Sequence, residues 1–423
     1  MAVVIVGAGA AGLQAALTVR KSWPNKPVIL VDSEEEIGYY RALLPPFMVG
    51  MLEEEKLFFW KQGEDAALTI LRGERVEGLD RTGRRLHLMN GKTIEYDRLI
   101  LCHGGSPEMP GVLSERTCQG IFPVRDLTAV RRAKEWLSGH PDVVILGSSL
   151  VGVKTAVYLR MAGQKVSLIV RRDHTLLRVL SSDAAKFVDA HLQRLGIDLH
   201  LNSNLEDLRV KDGSIDAVKA GQKWLPCKTL LVAAGATPDS RFLEASDMQE
   251  DGTLIVSPSL QTKDPRIFAA GDAATIRTEG REGLNPGTWP HAVTQGKLAG
   301  ENLYASVPRP LNVLTRVNCM NLSGLPLVIL GPPVSGAGTV SYTSPSRTVY
   351  RELFMTHGRI VGGALVGDIS GAGPLHAMIN VGEKVGEDLG DLVCPKGRAL
   401  RRFAISEARG RRAILFSSKR VRP

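Results

Sequence analysis

Two glycine-rich turns constrain the fold of this chain more than any other feature. Each stands between an apolar run and a helix-like run: the first is Gly7-Ala-Gly-Ala-Ala-Gly12 and the second is Gly147-Ser-Ser-Leu-Val-Gly152. In a βαβ unit such a turn bends the chain tightly, lets the backbone approach a pyrophosphate and aims a helix N-terminus at it. Two of them predict two dinucleotide sites, and proteins that hold two dinucleotides side by side most often move hydride between them.

The first unit is predicted as strand 2–6, helix 11–21 and strand 28–32. Asp32 follows Gly12 by twenty residues and closes the second strand, where a βαβ unit places a carboxylate beside the ribose hydroxyls of a nucleotide. The first glycine of the turn makes the bend, the second admits the pyrophosphate and the third lets the helix pack on the strand. The residues predicted to bind the first nucleotide are Gly7, Gly9, Gly12 and Asp32.

The second unit repeats the plan with strand 143–146, a helix to about residue 162 and strand 165–170, which ends in Arg171-Arg172. An acidic side chain accepts a hydrogen bond from a free ribose 2′-hydroxyl, whereas arginine pairs with a 2′-phosphate. A charge-assisted hydrogen bond of about 1.5–3 kcal/mol corresponds to about a ten- to hundred-fold preference. The arginines therefore favour NADP here, while NAD, or arginines that only face solvent, stay open alternatives. The residues predicted to bind the second nucleotide are Gly147, Ser149, Gly152, Arg171 and Arg172.

Length and composition place the chain among folded proteins of several domains. Its 423 residues, 43% of them hydrophobic, are enough for roughly two to four domains. After the second unit, short strand signals continue to about residue 392, among them 349–354 and 359–366. We predict an α/β fold with two Rossmann-like nucleotide-binding domains and a C-terminal α+β domain.

The cysteines and the opening residues limit the chemistry and the location of the chain. Five cysteines, an odd number without any close pair, argue against a disulfide framework, a zinc site or a bound iron–sulfur cluster, so no metal site is predicted. The opening apolar run 2–6 lacks the positive region of a signal peptide, and no run reaches the roughly eighteen apolar residues that span a bilayer. A cytoplasmic location is therefore expected.

The net charge of +9 is concentrated in the last 28 residues. Segment 396–423 holds ten lysines and arginines and a single acidic residue, Glu407, so it accounts for the whole excess and leaves the rest of the chain near neutrality. A solvated, partly disordered tail is one interpretation. The other is a segment that docks an acidic partner or an anionic surface.

Four further segments carry a family pattern. They are Tyr39-Tyr-Arg-Ala-Leu-Leu-Pro-Pro-Phe-Met-Val-Gly50, Tyr96-Asp-Arg-Leu-Ile-Leu-Cys-His-Gly-Gly105, Gly271-Asp272 and Trp289-Pro-His-Ala-Val-Thr-Gln-Gly296. With the glycine turns they resemble the two-dinucleotide-fold pyridine-nucleotide oxidoreductases over nearly all of residues 1–390. Within that family the chain is most similar to the branch of NAD(P)H-rubredoxin reductases and the flavin part of nitrite reductases.

The resemblance implies that the first unit binds FAD and the second, inserted unit binds NAD(P)H. It puts Arg41 beside the flavin nucleotide, Asp272 on the ribityl end of FAD and Trp289 along the isoalloxazine, and it requires no catalytic acid or base. The implied domains are 1–112 with 239–309 for FAD, 113–238 for NAD(P), 310–395 for a C-terminal α+β interface domain, and the basic tail. The other residues assigned to the cofactors are Ala11, Val76, Gly104, Arg125, Gly271, Arg178 and Gly235.

Several positions depart from the family pattern. No cysteine occurs in segment 38–50, so the redox sulfur of disulfide reductases and of cysteine-dependent peroxidases is missing. Ser149 replaces the middle glycine of the second turn, and Ala42 replaces a proline. Lys154 stands where the family generally has a glutamate near the nicotinamide. The departures favour chemistry without a thiol.

The resulting hypothesis is an NAD(P)H oxidoreductase that exchanges hydride with FAD and single electrons with an iron–sulfur or other metal-containing protein, which the basic tail docks. The chain fits equally well as the diaphorase subunit of a larger complex, for instance with a tungsten or molybdenum aldehyde-oxidising enzyme. A membrane-associated quinone reductase is the alternative that the tail suggests. Nucleic-acid binding is disfavoured by the near-neutral body. Oligomeric state and direction of electron flow stay open.

Overall fold

A computed structural model describes residues 1–61, 68–114, 118–277, 285, 287–311, 315–386 and 389–395, so the basic tail lies outside the described residues. By packing density the chain forms two compact units. The first comprises residues 1–175 and 192–313, and the second comprises residues 176–191 and those from 314 onward. Within the ranges given, no helix has the length and hydrophobicity needed to cross a membrane.

Strands and helices alternate through most of the chain and give way to a run of strands near its end. Residues 1–114 form β1 (Ala2–Val6), α1 (Ala10–Ser22), β2 (Val28–Val31), α2 (Leu44–Met48), β3 (Leu68–Leu71), β4 (Val76–Asp80), β5 (Arg85–Leu88), β6 (Thr93–Leu101), β7 (Ser106–Pro107) and α3 (Gly111–Ser114). Residues 118–237 form β8 (Ile121–Pro123), α4 (Leu127–Leu137), β9 (Asp142–Leu146), α5 (Leu150–Met161), β10 (Lys165–Ile169), α6 (Ser182–Arg194), β11 (Asp198–His200), β12 (Leu205–Lys211), β13 (Ser214–Ala220), β14 (Lys223–Pro226), β15 (Thr229–Val232) and β16 (Ala236–Thr237). The remaining elements are β17 (Leu254–Val256), β18 (Ile267–Ala269), β19 (Ala274–Ile276), α7 (Trp289–Asn302), β20 (Val317–Asn321), β21 (Pro326–Leu330), β22 (Gly338–Thr343), β23 (Tyr350–Thr356), β24 (Arg359–Val366), α8 (Ala372–Val381) and α9 (Leu389–Val393).

The first sheet has a parallel core in the order β3-β2-β1-β6-β18, and β4 and β5 extend it as antiparallel strands from β6. All five residues of β1 are buried, as expected for a parallel strand covered on both faces. Because the core strands are parallel, their carboxyl ends meet at one edge of the sheet. That edge holds Gly7 and Asp32, which directly follow β1 and β2, and His103 and Gly271, which are the second residues after β6 and β18.

The second sheet is parallel throughout, in the order β11-β10-β9-β15-β8. Its interior strand β15 is buried along its whole length, and a separate antiparallel sheet of β12, β13 and β14 lies in the same compact unit. The carboxyl edge of the parallel sheet brings together Gly147, Arg171, Gly235 and Arg125. Both predicted βαβ units are therefore confirmed as the structural context of the glycine turns.

The second compact unit is an antiparallel sheet, β20-β21-β24-β23-β22, with α8 and α9 packed on an apolar cluster. The strands predicted at 349–354 and 359–366 are observed as β23 and β24. Two adjacent buried side chains on β23 have different hydrogen-bond partners. Glu352 accepts from Ser181 Oγ at 2.6 Å, and Arg351 donates to the Ser370 carbonyl at 2.7 Å. Together with the parallel sheets, this unit confirms the α/β fold class with a C-terminal α+β part.

Candidate functional site

The three glycines of the first turn differ in what surrounds them. A Cβ on Gly7, whose φ is +97°, would lie 2.2 Å from the Cys102 carbonyl oxygen, and one on Gly12 would lie 1.7 Å from the Gly7 carbonyl oxygen. A Cβ on Gly9 would meet no heavy atom within 4 Å. Gly7 and Gly12 are therefore required by the packing of the turn, and Gly9 leaves open space in front of α1. That helix begins without a side-chain cap, so its first N–H groups suit a pyrophosphate.

Asp32 braces this turn from the end of β2. Its carboxylate accepts from the Ala8 N–H in a short bond and from the Glu34 N–H at 2.8 Å. Burial raises its pKa above the ordinary value. A carboxylate has roughly four lone-pair positions, so two remain for ribose hydroxyls. The Glu74 N–H donates to the Asp32 carbonyl at 2.9 Å. This hydrogen bond places the segment that leads into Val76 beside Asp32.

Arg41 is held by partners that sequence reasoning missed. Its Nη2 lies 2.5 Å from Glu34 Oε1, and Nη1 donates to the Tyr39 hydroxyl at 2.7 Å and to the Arg125 carbonyl at 2.8 Å. Tyr39 in turn donates to Glu34 Oε2 at 2.5 Å. The bond to Arg125 joins the first βαβ unit to the second residue after β8 of the second sheet.

Arg125 completes the link between the two carboxyl edges. Its Nε donates to the Gly105 carbonyl at 3.0 Å, and its Nη2 lies 3.4 Å from Asp272 Oδ2. Burial lowers the pKa of Arg125, and the nearby positive charge of Arg41 lowers it further. The Asp272 side chain keeps 40% of its surface exposed. The structure thus gathers the predicted residues Arg41, Gly104, Arg125 and Asp272 in one place, with Asp272 accessible to a ligand.

Helix α7 carries a glutamine and a glycine whose roles are visible only in the fold. The Gln295 side chain accepts from the Gly271 N–H at 2.7 Å, and Gly271 has a φ of +76°. A Cβ on Gly296 would lie 2.1 Å from the Ala11 carbonyl oxygen, so this glycine lets α7 cross closely over α1. Ala11 therefore lies at a helix crossing, beside the first turn. Neither role leaves a local signal, because both partners are distant in sequence.

Trp289, at the start of α7, belongs to a partly exposed aromatic cluster. Its ring centroid lies 5.3 Å from that of Tyr40 and 5.9 Å from that of Phe59, and Tyr40 and Phe59 are 4.9 Å apart. Trp289 retains 41% exposure. The cluster therefore offers an aromatic surface next to Arg41, at the carboxyl edge of the first sheet.

The second turn repeats the packing of the first with one difference. A Cβ on Gly147, whose φ is +110°, would lie 2.4 Å from the Ala233 carbonyl oxygen, and one on Gly152 would lie 2.0 Å from the Gly147 carbonyl oxygen. Ser149 Oγ accepts from the Gly152 N–H at 3.4 Å and donates to the Ala233 carbonyl at 3.3 Å. The serine thus points into the turn and caps α5 rather than projecting in front of it.

The predicted arginines of the second site lie where β10 ends. Arg171 and Arg172 are exposed, and their guanidinium groups form no hydrogen bond or ion pair with the described part of the chain. Gly235, with a φ of +145°, follows β15 on the same edge. Arg178 is also exposed but belongs to the second compact unit.

All five cysteines lie within the described residues, and none of them is paired with another in a disulfide. Cys102 lies behind the first turn, and burial raises its pKa to about 12; burial has the same effect on Cys227. Thiols this far from ionisation are poor nucleophiles at neutral pH. The described cysteines thus form no redox-active disulfide.

His103 follows β6 and yields a prediction about pH. Its Nε2 lies 3.2 Å from Ser240 Oγ, and burial lowers its pKa to about 4. Because the unfolded histidine titrates near 6.5, only the unfolded state gains a proton between these two values. The free energy of unfolding therefore decreases as the pH is lowered through that window. Through this histidine, we expect the free energy of unfolding to decrease by about 2 kcal/mol when the pH is lowered from 7 to 5. Urea unfolding at both pH values should show that loss shrinking in a His103→Thr variant.

The exposed His87 supplies the control for that measurement. His87→Thr should keep the full wild-type pH dependence, because it removes an exposed side chain and leaves the buried His103 in place. Equal losses of stability in the wild type and His103→Thr would show that His103 does not stay neutral in the folded protein.

The chain is similar in sequence to several known proteins. The chain is 25% identical to the NADH oxidase of Methanocaldococcus jannaschii, over 87% of this chain and 88% of that one. It is 22% identical to the NADH-rubredoxin oxidoreductase of Clostridium acetobutylicum, over 87% and 91%. Apoptosis-inducing factor 3 from mouse is 27% identical over 72% of this chain, which spans about half of that longer protein, 51%.

The chain also matches a solved structure and a family model. The fold is similar to the crystal structure of a covalent putidaredoxin reductase–putidaredoxin complex, with a TM-score of 0.87, 21% identity and coverage of 96% of this chain and 99% of that one. The family model described as pyridine nucleotide-disulphide oxidoreductase matches residues 1–296. These matches confirm the resemblance stated from the sequence, the enzyme class and the predicted cofactors. The chain belongs to the pyridine nucleotide-disulphide oxidoreductase family, and FAD and NAD(P) are its cofactors.

Proposed function

We propose that this chain is a reductase that takes electrons from NAD(P)H into FAD and delivers them singly to a small iron–sulfur or other metal-containing protein. We assign residues 1–112 and 239–309 to the FAD domain, 113–238 to the NAD(P) domain and 310–395 to the C-terminal domain. The sheet pairings support the division: β18 joins the first sheet beside β6, and β8 and β15 join the second sheet beside each other.

The residues around the first turn fit FAD. The space in front of Gly9 admits a pyrophosphate, Asp32 can accept from the ribose, and the exposed part of Asp272 can bind the ribityl chain. Arg41, fixed by Glu34 and Tyr39, brings positive charge to the same edge. When bound, FAD supplies the conversion between two-electron hydride transfer and one-electron transfer. The protein then has to orient both cofactors, exclude water and present an exit for electrons.

The observation that carries the proposal is the absence of a thiol where the two carboxyl edges meet. Segment 38–50, which contributes Arg41 and Tyr39, contains no cysteine, and Cys102 is buried behind the turn with a pKa raised to about 12. Electrons therefore have no sulfur relay within this site and must leave to an external acceptor. The relative from Clostridium acetobutylicum that is named for rubredoxin supports a protein acceptor. The exposed Trp289 cluster supplies a surface on which such an acceptor can approach.

The test is an anaerobic two-step reaction with the purified chain reconstituted with FAD. NADPH or NADH should bleach the flavin absorbance, and a rubredoxin or a [2Fe–2S] ferredoxin should then restore it by single-electron oxidation. Disulfides should stay unreduced, and alkylation of the exposed Cys319 should leave the rate unchanged. Rapid reduction of a disulfide, or reoxidation by dioxygen in a parallel aerobic assay faster than by either protein, would contradict the proposal.

A further inference from the structure

We propose that Lys154 sets a positive charge between the two cofactors and that this charge biases hydride transfer toward the flavin. The inference rests on the proposed function, because it requires FAD at the first turn and NAD(P)H at the second. Lys154 lies in the first turns of α5, two residues after Gly152. Its Nζ donates to the carbonyl of Ala42 at 2.6 Å.

That hydrogen bond connects the carboxyl edges of the two parallel sheets. Ala42 lies between β2 and α2, next to Arg41, whose Nη1 donates to the Arg125 carbonyl at 2.8 Å. Lys154 instead rises from the helix that follows the second glycine turn. Because nucleotides bind at the carboxyl edges of parallel sheets, an ammonium that bridges these two edges would stand between FAD bound at the first and NAD(P)H bound at the second.

The charge of Lys154 has no carboxylate partner among the residues that the structure describes. The contacts of its Nζ are the Ala42 carbonyl and the ring of Tyr158, whose centroid is 5.9 Å away. Burial alone lowers the pKa of Lys154, with no acidic group opposing that direction. A partly buried, uncompensated charge acts over several ångströms with weaker screening than a surface charge.

The sign of the effect follows from the charge movement in hydride transfer. The hydride carries two electrons and one proton from the nicotinamide ring to the flavin ring. The neutral dihydronicotinamide becomes a pyridinium cation, and the flavin becomes more negative by one charge. A nearby ammonium repels the first product and stabilises the second, so Lys154 favours NAD(P)H oxidation. The glutamate that the family resemblance implies at this position would act in the opposite direction.

The test compares Lys154→Arg, Lys154→Met and Lys154→Glu in FAD-loaded protein. The first readout is the two-electron midpoint potential of the flavin without nucleotide, and the second is the dissociation constant of NADP+ or NAD+. Lys154→Met should lower the equilibrium constant for flavin reduction about tenfold, which corresponds to about 30 mV. It should also tighten binding of the oxidised nucleotide, Lys154→Glu should do both more strongly, and Lys154→Arg should stay near the wild type. Lys165→Met, at the opposite end of β10, should change neither readout.

Two outcomes would overturn the inference. One is a potential and a nucleotide affinity that are unchanged in Lys154→Met and Lys154→Glu. The other is the same shift in the arginine, methionine and glutamate variants, which would show that only the tether to Ala42 matters. Failure of the proposed function looks different, because the wild-type flavin would then not be reduced by NAD(P)H at all.

Discussion

Gly12→Ala is expected to destroy the FAD unit. The new Cβ would lie 1.7 Å from the Gly7 carbonyl oxygen, and Gly7 cannot retreat because the Cys102 carbonyl lies directly behind it. Backbone blocks backbone on both sides, so no rotamer change relieves the overlap. We expect a loss of about 4 kcal/mol or more, at the upper end for a single substitution. Urea unfolding and the flavin absorbance of the purified protein would measure it.

Gly9→Ala is the matched control, because it adds the same methyl group to the same turn. Gly9 has a φ of −76° and no heavy atom within 4 Å of its would-be Cβ, so alanine fits the backbone. The variant should unfold at the wild-type urea concentration and yet bind FAD more weakly, since the methyl group occupies the approach of the pyrophosphate. Equal destabilisation by both substitutions would refute the separate duties of the two glycines.

Replacing both arginines after β10, as Arg171→Asp with Arg172→Ser, should shift the nucleotide preference. Their guanidinium groups are exposed and form no bonds within the described residues, so they are available to a 2′-phosphate. Losing one or two charge-assisted hydrogen bonds, with an acid introduced in their place, should lower the ratio of NADPH to NADH kcat/KM by about a hundredfold. Flavin bleaching rates over a range of NADPH and NADH concentrations would measure that ratio.

Lys165→Ser controls for the loss of positive charge on the same strand. Lys165 begins β10, at the amino edge of the sheet, whereas the arginines follow its carboxyl edge. This variant should keep the wild-type ratio. An unchanged ratio in the arginine double variant would show that these side chains only face solvent.

Local pattern was sufficient for the parts of the site that depend on backbone conformation. The spacing of Gly7, Gly9 and Gly12 already assigns a bend, an opening and a close helix contact, and the surroundings of each residue match those duties. The same holds for Gly147 and Gly152. Gly7, Gly12, Gly147 and Gly152 can be recognised in the sequence because only glycine tolerates the φ or the contact distance that these positions require.

Hydrogen bonds between residues that are distant in the chain could not be predicted from the sequence. The pairing of His103 with Ser240 joins residues 137 positions apart, and that of Gln295 with the Gly271 N–H joins residues 24 apart. Lys154 departs from the family pattern in the sequence, but its contact with Ala42, 112 positions away, leaves no local signal. Such contacts depend on how two sheets face each other, which no local signal encodes.

From its sequence alone, this chain is an α/β protein with two nucleotide-binding turns and no thiol in segment 38–50, because periodicity, glycine spacing and residue identity act over a few neighbouring residues. Only the tertiary structure decided that Arg41, Arg125 and Asp272 meet and that Lys154 reaches across to the first unit. The physical reason is that these contacts form between strand ends brought together by parallel pairing, so their distances are set by the packing of the sheets and not by separation along the chain.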